Sequence, residues 1–153
     1  MCSIDEGGME VCMKKIISRW LLLSYLFLLL SFIYIASGPA TPKESTYLEK
    51  IIFCSNLVPF YKIGTVKMIL TSLITYFPIG LLARDAFSYL QNHRRFYLCL
   101  ILVIFSFELI QVITLKGFFD VNDIIFGFIG ATLVYLLSER IILLFRRLID
   151  IEV

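Results

Sequence analysis

The stretch FYLCLILVIFSFELIQVITL, residues 96–115, decides the class of fold. It is twenty residues long, and Glu108 is its only charged residue. A helix that crosses a bilayer needs about 20 mainly apolar residues. The stretch therefore predicts a membrane-spanning helix that carries a carboxyl group within its length.

The composition of the whole chain supports a membrane protein. Of its 153 residues, 59% are hydrophobic and 17% are charged, and the mean hydropathy is +0.90. Soluble domains have roughly 45–50% apolar and about 25% charged residues. A net charge of +2 offers no strong basic field for nucleic acid. We therefore expect membrane lipids as partners and no nucleic acid.

Three further apolar runs accompany the first. They are WLLLSYLFLLLSFIYIA (20–36), MILTSLITYFPIGLLA (68–83) and IIFGFIGATLVYLL (124–137). Together the runs predict an all-α membrane protein with four transmembrane helices, at about 16–36, 64–83, 96–115 and 122–145. The segment TYLEKII (46–52) predicts a short interfacial helix in the first external loop. This organisation is a single membrane domain over 16–145, with a cytoplasmic N-terminal segment (1–15) and a cytoplasmic tail (146–153).

The distribution of Lys and Arg predicts the orientation. With four spans, nine basic residues, including all seven arginines, fall on the side of both termini, and five lysines fall on the other side. The positive-inside rule then places both termini in the cytoplasm of a multi-pass cell-membrane protein. The first run exceeds the roughly 7–15 residues of a signal-peptide core, which favours an uncleaved anchor helix. Translation could start at Met1 or at Met13.

The stretch FELIQVITLKGFFDVNDIIFG, residues 107–127, concentrates polar groups between two apolar runs. Glu108 and Gln111 share one helix face, because they are three residues apart. A short turn makes the third and fourth helices neighbours, so the acidic groups after it can stand above that face. The stretch predicts an outward polar pocket, to which Asn56 of the external loop can contribute. The candidate binding residues are Glu108, Gln111, Lys116, Asp120, Asp123 and Asn56.

A purely structural interpretation of these groups is also open. Glu108 can hold helices together through a hydrogen bond across the bundle. Either Asp120 or Asn122 can cap the fourth helix, and Asp123 in its first turn complements the helix dipole. The remaining singled-out residues are expected to shape the backbone: Pro59 in the external segment, Pro78 and Gly80 at a kink, and Gly127 and Gly130 at a close helix contact.

Four short motifs resemble the VanZ-like family in order and spacing. They are NLVPF (56–60), FPIGLL (77–82), FELIQ (107–111) and FDVNDIIFGFIGA (119–131). The resemblance covers about residues 50–138. It implies a small helical membrane protein, and the family's namesake is associated with low-level resistance to teicoplanin, a glycopeptide that binds cell-wall precursors. The recurrent family positions are here Asn56, Pro59, Glu108, Gln111, Asp120 and Asp123.

The chain departs from the family pattern at three positions. Ser72 and Gly127 stand where the family often has Asn, and Gly117 stands where it often has Arg. Lys116 could replace that arginine, although a lysine is a poorer bidentate partner for phosphate or carboxylate. The departures predict the same fold with a polar site that has fewer groups.

Three classes of function follow from these observations. The first is a non-enzymatic envelope protein that binds a lipid-linked cell-wall precursor, a lipid headgroup or a lipoglycopeptide. The second is an intramembrane enzyme acting on a lipid headgroup, although no nucleophile–base motif is apparent. The third is a transporter or transporter subunit, which would need a homo-oligomer. The four cysteines form no C-x-x-C pattern, so neither a zinc site nor a disulfide framework is predicted. No cofactor or metal site is predicted, although clustered carboxylates could hold Mg²⁺ if the protein is an enzyme.

Overall fold

The computed structural model describes residues 6–35, 44–60 and 66–151. A 3₁₀ turn, Ser88–Gln91, connects the fourth and fifth of its α-helices. The helices within these ranges are α1 (Glu6–Ile35), α2 (Tyr47–Phe53), α3 (Val66–Thr75), α4 (Phe77–Ala86), α5 (His93–Ile113) and α6 (Val121–Ile151).

Within the described ranges, four helical segments are long and apolar enough to cross a membrane. They are Cys12–Phe32, Ile69–Ala86, His93–Ile113 and Val121–Arg140. The second combines α3 and α4, and α2 is the short helix expected in the loop after the first span. The all-α class with four transmembrane helices is thus confirmed.

The helix ends differ from the predicted ones. The first helix begins at Glu6 rather than near residue 16, and the last continues to Ile151 rather than ending near 145. Hydropathy marks the part of a helix that lies in lipid, whereas backbone hydrogen bonding continues beyond it. The third span, helix α5, starts at His93 because the Asn92 side chain accepts hydrogen bonds from the two backbone amides of Arg94 and Arg95. The predicted boundaries at 36 and 64, and the ends of both terminal segments, lie outside the described residues.

The helix α2 has a well-formed start. Thr46 and Glu49 form a capping box, in which the Thr46 amide donates to the Glu49 carboxylate at 2.7 Å. The hydrogen bonds from the backbone and side chain of Thr46 hold the pKa of the Glu49 carboxyl below its ordinary value. The Tyr47 hydroxyl donates to the carbonyl of Ile113 at 2.5 Å, which ties α2 to the end of α5.

The second span breaks between Thr75 and Phe77. Pro78 has no amide to bond the carbonyl four residues earlier, and α4 restarts around it. The Ile79 amide instead donates to the Tyr76 carbonyl at 3.2 Å. The break turns Tyr76 inward, where it is buried.

Glycines let α6 pack closely against this broken span. A Cβ atom on Gly130 would lie 2.2 Å from the Leu73 carbonyl oxygen, and one on Gly80 would lie 2.1 Å from that of Ala131. Gly127 makes room for the Tyr76 ring in the same way. The backbones approach at distances that larger side chains would prevent, as in other membrane helix pairs.

The end of the bundle away from the α5–α6 turn is held by polar pairs, and we call it the arginine end. Arg84 forms a bidentate ion pair with Glu139, with N–O distances of 3.0 and 3.1 Å. The Tyr135 hydroxyl donates to the Leu90 carbonyl at 2.8 Å, and its ring stacks on Phe96 at 3.8 Å. Lys14 and Asp85 pair at 3.1 Å, which joins α1 to α4. These contacts fix α1, α4, α5 and α6 to one another at this end.

The close contact of α6 with the broken span predicts a large packing penalty at Gly130. The substitution Gly130→Leu should lower the free energy of unfolding by about 1–3 kcal/mol or more, because rigid backbone faces the new side chain. Thermal unfolding of the detergent-solubilised protein measures the loss. Ser106→Leu, on the exposed face of α5, is the matched control. Equal melting temperatures for the two variants would contradict the close contact.

Candidate functional site

The turn after α5 is shaped by its own backbone. The amides of Lys116 and Gly117 donate to the Gln111 carbonyl at 2.9 and 3.2 Å, and Leu115 has a positive φ of 53°. A Cβ atom on Gly117 would lie 2.3 Å from the Gln111 side-chain oxygen. A glycine at this position therefore lets the Gln111 side chain lie against the turn.

A short parallel strand pair joins the turn to the first loop. Strands β1 (Ser55–Asn56) and β2 (Phe119–Asp120) pair so that Asn56 lies opposite Asp120. The Phe119 amide also donates to the Cys54 carbonyl at 2.8 Å. Sequence reasoning missed this pairing, because two-residue strands carry no detectable alternation. It places two candidate residues from distant parts of the chain side by side.

Asp120 connects three parts of the site. Its side chain accepts hydrogen bonds from the Asn56 amide group at 3.2 Å and from the Asn122 backbone at 2.8 Å. Its own backbone amide donates to the Glu108 carboxyl at 3.2 Å. The Asp120 side chain thus bonds the first turn of α6 in the manner of a helix cap, and its backbone amide holds the Glu108 carboxyl group, a contact that the sequence did not predict.

Asn122 is a further connecting residue that sequence reasoning treated only as a cap. It is buried, and its side-chain oxygen accepts from the Phe60 amide at 2.8 Å. Phe60 has a positive φ of 61°, and it directly follows Pro59. This bond fastens the end of the described external segment to the first turn of α6.

Two carboxyl groups lie on the inner side of this network. The Glu108 side chain is only 2% exposed, and Asp120 supplies its one hydrogen-bond donor among the described residues. Asp123, in the first turn of α6, accepts a hydrogen bond from the Ser72 hydroxyl. The α6 dipole favours a negative charge at that position.

Both carboxyl groups line a cavity of about 420 Å³, which we call the polar cavity. One part of its wall is apolar and is formed by Leu29, Phe32 and Phe107. The other part carries hydroxyl, carboxyl, amide and ammonium groups. The polar lining residues are Tyr25, Thr71, Ser72, Thr75, Tyr76, Glu108, Gln111, Lys116 and Asp123.

A second cavity of about 900 Å³ lies beside the first, and we call it the loop cavity. It is lined by α2 and the segment after it, together with Asn56, Gly117 and Asp120. The structure therefore divides the six candidate residues. Glu108 and Lys116 line only the polar cavity, and Asn56 and Asp120 line only the loop cavity. Gln111 and Asp123 line both.

Sequence reasoning did not assign the hydroxyl groups of the second span to the site. Thr71, Ser72, Thr75 and Tyr76 all line the polar cavity, and only Ser72 was singled out, as a departure from the family pattern. Most pairs among these residues lie one, three or four positions apart, so in a helix their hydroxyl groups share one face, and this spacing could have indicated a polar face. Tyr25 of α1 was also missed, and its hydroxyl donates to the Thr75 carbonyl.

The described residues offer carboxylates as hydrogen-bond acceptors and electrostatic partners. No three Asp, Glu, His or Cys side chains come together there in a metal-binding group. The arrangement can bind a polar group between Glu108, Asp123 and Lys116 while an apolar chain lies against Leu29 and Phe32.

Comparisons with known proteins agree with the sequence motifs. The VanZ/LLP1 family model matches residues 22–145, which is most of the chain. Protein VanZ of Enterococcus faecium is 30% identical over 121 residues, covering 79% of this chain and 73% of that protein. No solved structure gives a significant match. The chain thus belongs to the VanZ-like family and is a multi-pass membrane protein of the glycopeptide-resistance type.

Proposed function

We propose that the protein binds the polar headgroup of an amphiphile in the polar cavity, on the outer side of the cell membrane. The observation that carries this proposal is the position of Glu108. Its carboxyl group is 2% exposed, lies inside a membrane span and lines a cavity. Ionisable groups inside spans are costly and are usually retained for function.

The two-sided lining of the cavity supports an amphiphilic ligand. Leu29, Phe32 and Phe107 offer apolar contact, whereas the opposite wall offers charged and hydroxyl groups. A wholly polar solute would leave the apolar wall unused, and a hydrocarbon would cover the polar wall without offering hydrogen bonds to its groups, which is costly. A lipid headgroup, a lipid-linked cell-wall precursor or a lipoglycopeptide matches both walls.

The outward orientation rests on the distribution of basic residues. All seven arginines are on the side of both termini when the chain crosses four times. The positive-inside rule then makes the arginine end cytoplasmic. The α5–α6 turn, the strand pair and both cavities accordingly face outward, where glycopeptides and completed lipid-linked precursors are present.

Glycopeptide resistance follows from such binding through mass action. A membrane protein that binds a lipoglycopeptide lowers the free concentration of the drug at its target. One that binds the lipid-linked target competes with the drug for it. Membership of the VanZ-like family supports a contribution of this kind.

An intramembrane enzyme acting on a lipid headgroup is the second candidate. The hydrogen bond from the Ser72 hydroxyl to the Asp123 carboxylate favours it, because a positioned base next to a hydroxyl is a feature of nucleophilic catalysis. A chemically altered lipid formed by the wild-type protein and absent with Ser72→Ala would establish this function.

The substitution Glu108→Gln tests amphiphile binding. The amide is nearly isosteric and can still accept from the Asp120 amide, so folding should be retained while the charge is lost. We expect at least a tenfold loss of the retained amphiphile, or about 1.4 kcal/mol, together with lower teicoplanin resistance. Mass spectrometry of lipids in native-lipid particles and growth inhibition by the drug measure the two effects.

The matched control for this experiment is Asp85→Asn at the arginine end. It also removes one carboxylate from the second half of a span, and its ion pair with Lys14 is partly exposed. Unchanged bound lipids and unchanged resistance in Glu108→Gln would reduce Glu108 to a helix-packing residue.

The proposed orientation predicts the location of reporters. A reporter fused after Val153 should be active in the cytoplasm, and one inserted after Phe118 in the α5–α6 turn should be active outside. Paired phosphatase and fluorescent fusions distinguish the two compartments. The opposite pattern would place the polar cavity on the cytoplasmic side and refute the outward site.

A further inference from the structure

We propose that the ligand of the polar cavity is an aminophospholipid, whose headgroup carries a phosphate and a primary ammonium. This inference rests on the proposed function and names the class of lipid that the cavity takes. Three features of the described residues support it: the separation of charges around the cavity, the supply of hydrogen-bond acceptors, and an apolar groove that continues from the cavity.

Acidic and basic side chains both line the polar cavity without forming an ion pair with one another. Glu108 and Asp123 are acidic and Lys116 is basic. No ion pair within 4.0 Å joins Lys116 to a carboxylate in the part of the chain that the structure describes. Unpaired charges in surroundings of low dielectric are costly. A zwitterion can pair with both kinds of group, whereas an anionic headgroup would offer the two carboxyl groups no cation.

The acceptors of the cavity match a primary ammonium. Such a group has three N–H donors. Glu108 has one carboxyl oxygen without a donor among the described residues, because Asp120 bonds only the other. Asp123 and Tyr76 supply further oxygens on the same wall. A quaternary ammonium has no N–H to donate, so it would leave these carboxyl and hydroxyl oxygens without a donor from the ligand. The cavity therefore discriminates between ethanolamine and choline headgroups.

The phosphate of the same headgroup finds its partners at the turn. Lys116 and Gln111 both line the polar cavity. The Lys116 backbone amide is fixed by its bond to the Gln111 carbonyl at 2.9 Å, so the lysine side chain starts from a defined point. An ammonium and an amide group are donors that a phosphate oxygen accepts from.

An apolar groove continues from the polar cavity between α1 and α3. A third cavity of about 640 Å³ shares Tyr25, Thr71 and Thr75 with the first. It adds four residues of α3 and α4, of which only Lys67 is charged: Lys67, Leu70, Ile74 and Pro78. The bond from Tyr25 to Thr75 is where α1 contacts the end of α3. Beyond it, Leu29 and Phe32 line the polar cavity, and Phe32 is 74% exposed. The gap between α1 and α3 can thus admit a lipid sideways from the bilayer.

The test measures the affinity of the purified full-length protein for single lipids. Dioleoyl phosphatidylethanolamine, phosphatidylglycerol and phosphatidylcholine share their acyl chains and differ in the headgroup. We expect native mass spectrometry to show at least tenfold tighter binding of phosphatidylethanolamine than of the other two. Each lipid is titrated separately into the same detergent-solubilised sample.

Variants on each side of the cavity separate the two charges. Asp123→Asn can still accept from the Ser72 hydroxyl, so it should fold and lose the preference for phosphatidylethanolamine over phosphatidylcholine. Lys116→Gln should weaken the binding of all three phospholipids. Asp85→Asn and Lys14→Gln remove the same two charge types at the arginine end and should change neither property.

The outcomes distinguish this inference from the proposed function. Tighter binding of phosphatidylglycerol, or equal binding of ethanolamine and choline lipids, would overturn the aminophospholipid assignment. If the Glu108→Gln variant nevertheless failed to retain another lipid that the wild-type protein retains, such as a lipid-linked sugar, the proposed function of amphiphile binding would be supported without the aminophospholipid assignment. If no lipid depended on Glu108, Asp123 or Lys116, both the assignment and the proposed function would fail.

Discussion

The hydrogen bond from the Asp120 backbone to the buried Glu108 carboxyl is the contact on which the site depends. Within a span, a carboxyl group needs a partner, because no bulk water solvates it. Asp120 can supply that partner only because the α5–α6 turn is short and because the strand pair holds it beside Asn56. The same residue also caps α6, so one position links the helix, the turn and the first loop.

The two ends of the bundle are held together differently, and the proposed ligand site lies at the end opposite the arginine end. At the arginine end, ion pairs and the stacked rings of Phe96 and Tyr135 hold the helices together. At the other end, α1 and α3 separate beyond the bond from Tyr25 to Thr75. The contacts at the arginine end fix the helices that form the walls of the polar cavity, while the gap would be the entrance for the proposed amphiphile. Binding to a preformed cavity would carry little ordering cost.

Hydropathy predicted the four spans because each is a long local pattern. The helix ends were predicted poorly, since α1 and α6 continue past the apolar residues and α5 begins at the Asn92 cap.

The short turn brought Glu108 and Asp123 to one cavity, which the spacing of the two helices already indicated. The separation of Asn56 and Asp120 into the loop cavity depends on the β1–β2 register, which is non-local and two residues long. The hydroxyl groups of α3 reach the cavity through the break at Tyr76 and the glycines of α6, and single-sequence patterns do not determine such interhelical contacts.

Site-specific photo-crosslinking tests whether an amphiphile occupies the polar cavity. A photoreactive amino acid is placed at Leu29, which lines the cavity, or at the neighbouring Leu28, which is 63% exposed. The crosslinked lipids are then identified in native membranes by mass spectrometry. We expect one selected lipid class at position 29, lost when Glu108→Gln is added, and the bulk membrane composition at position 28. Bulk composition at both positions would contradict this expectation.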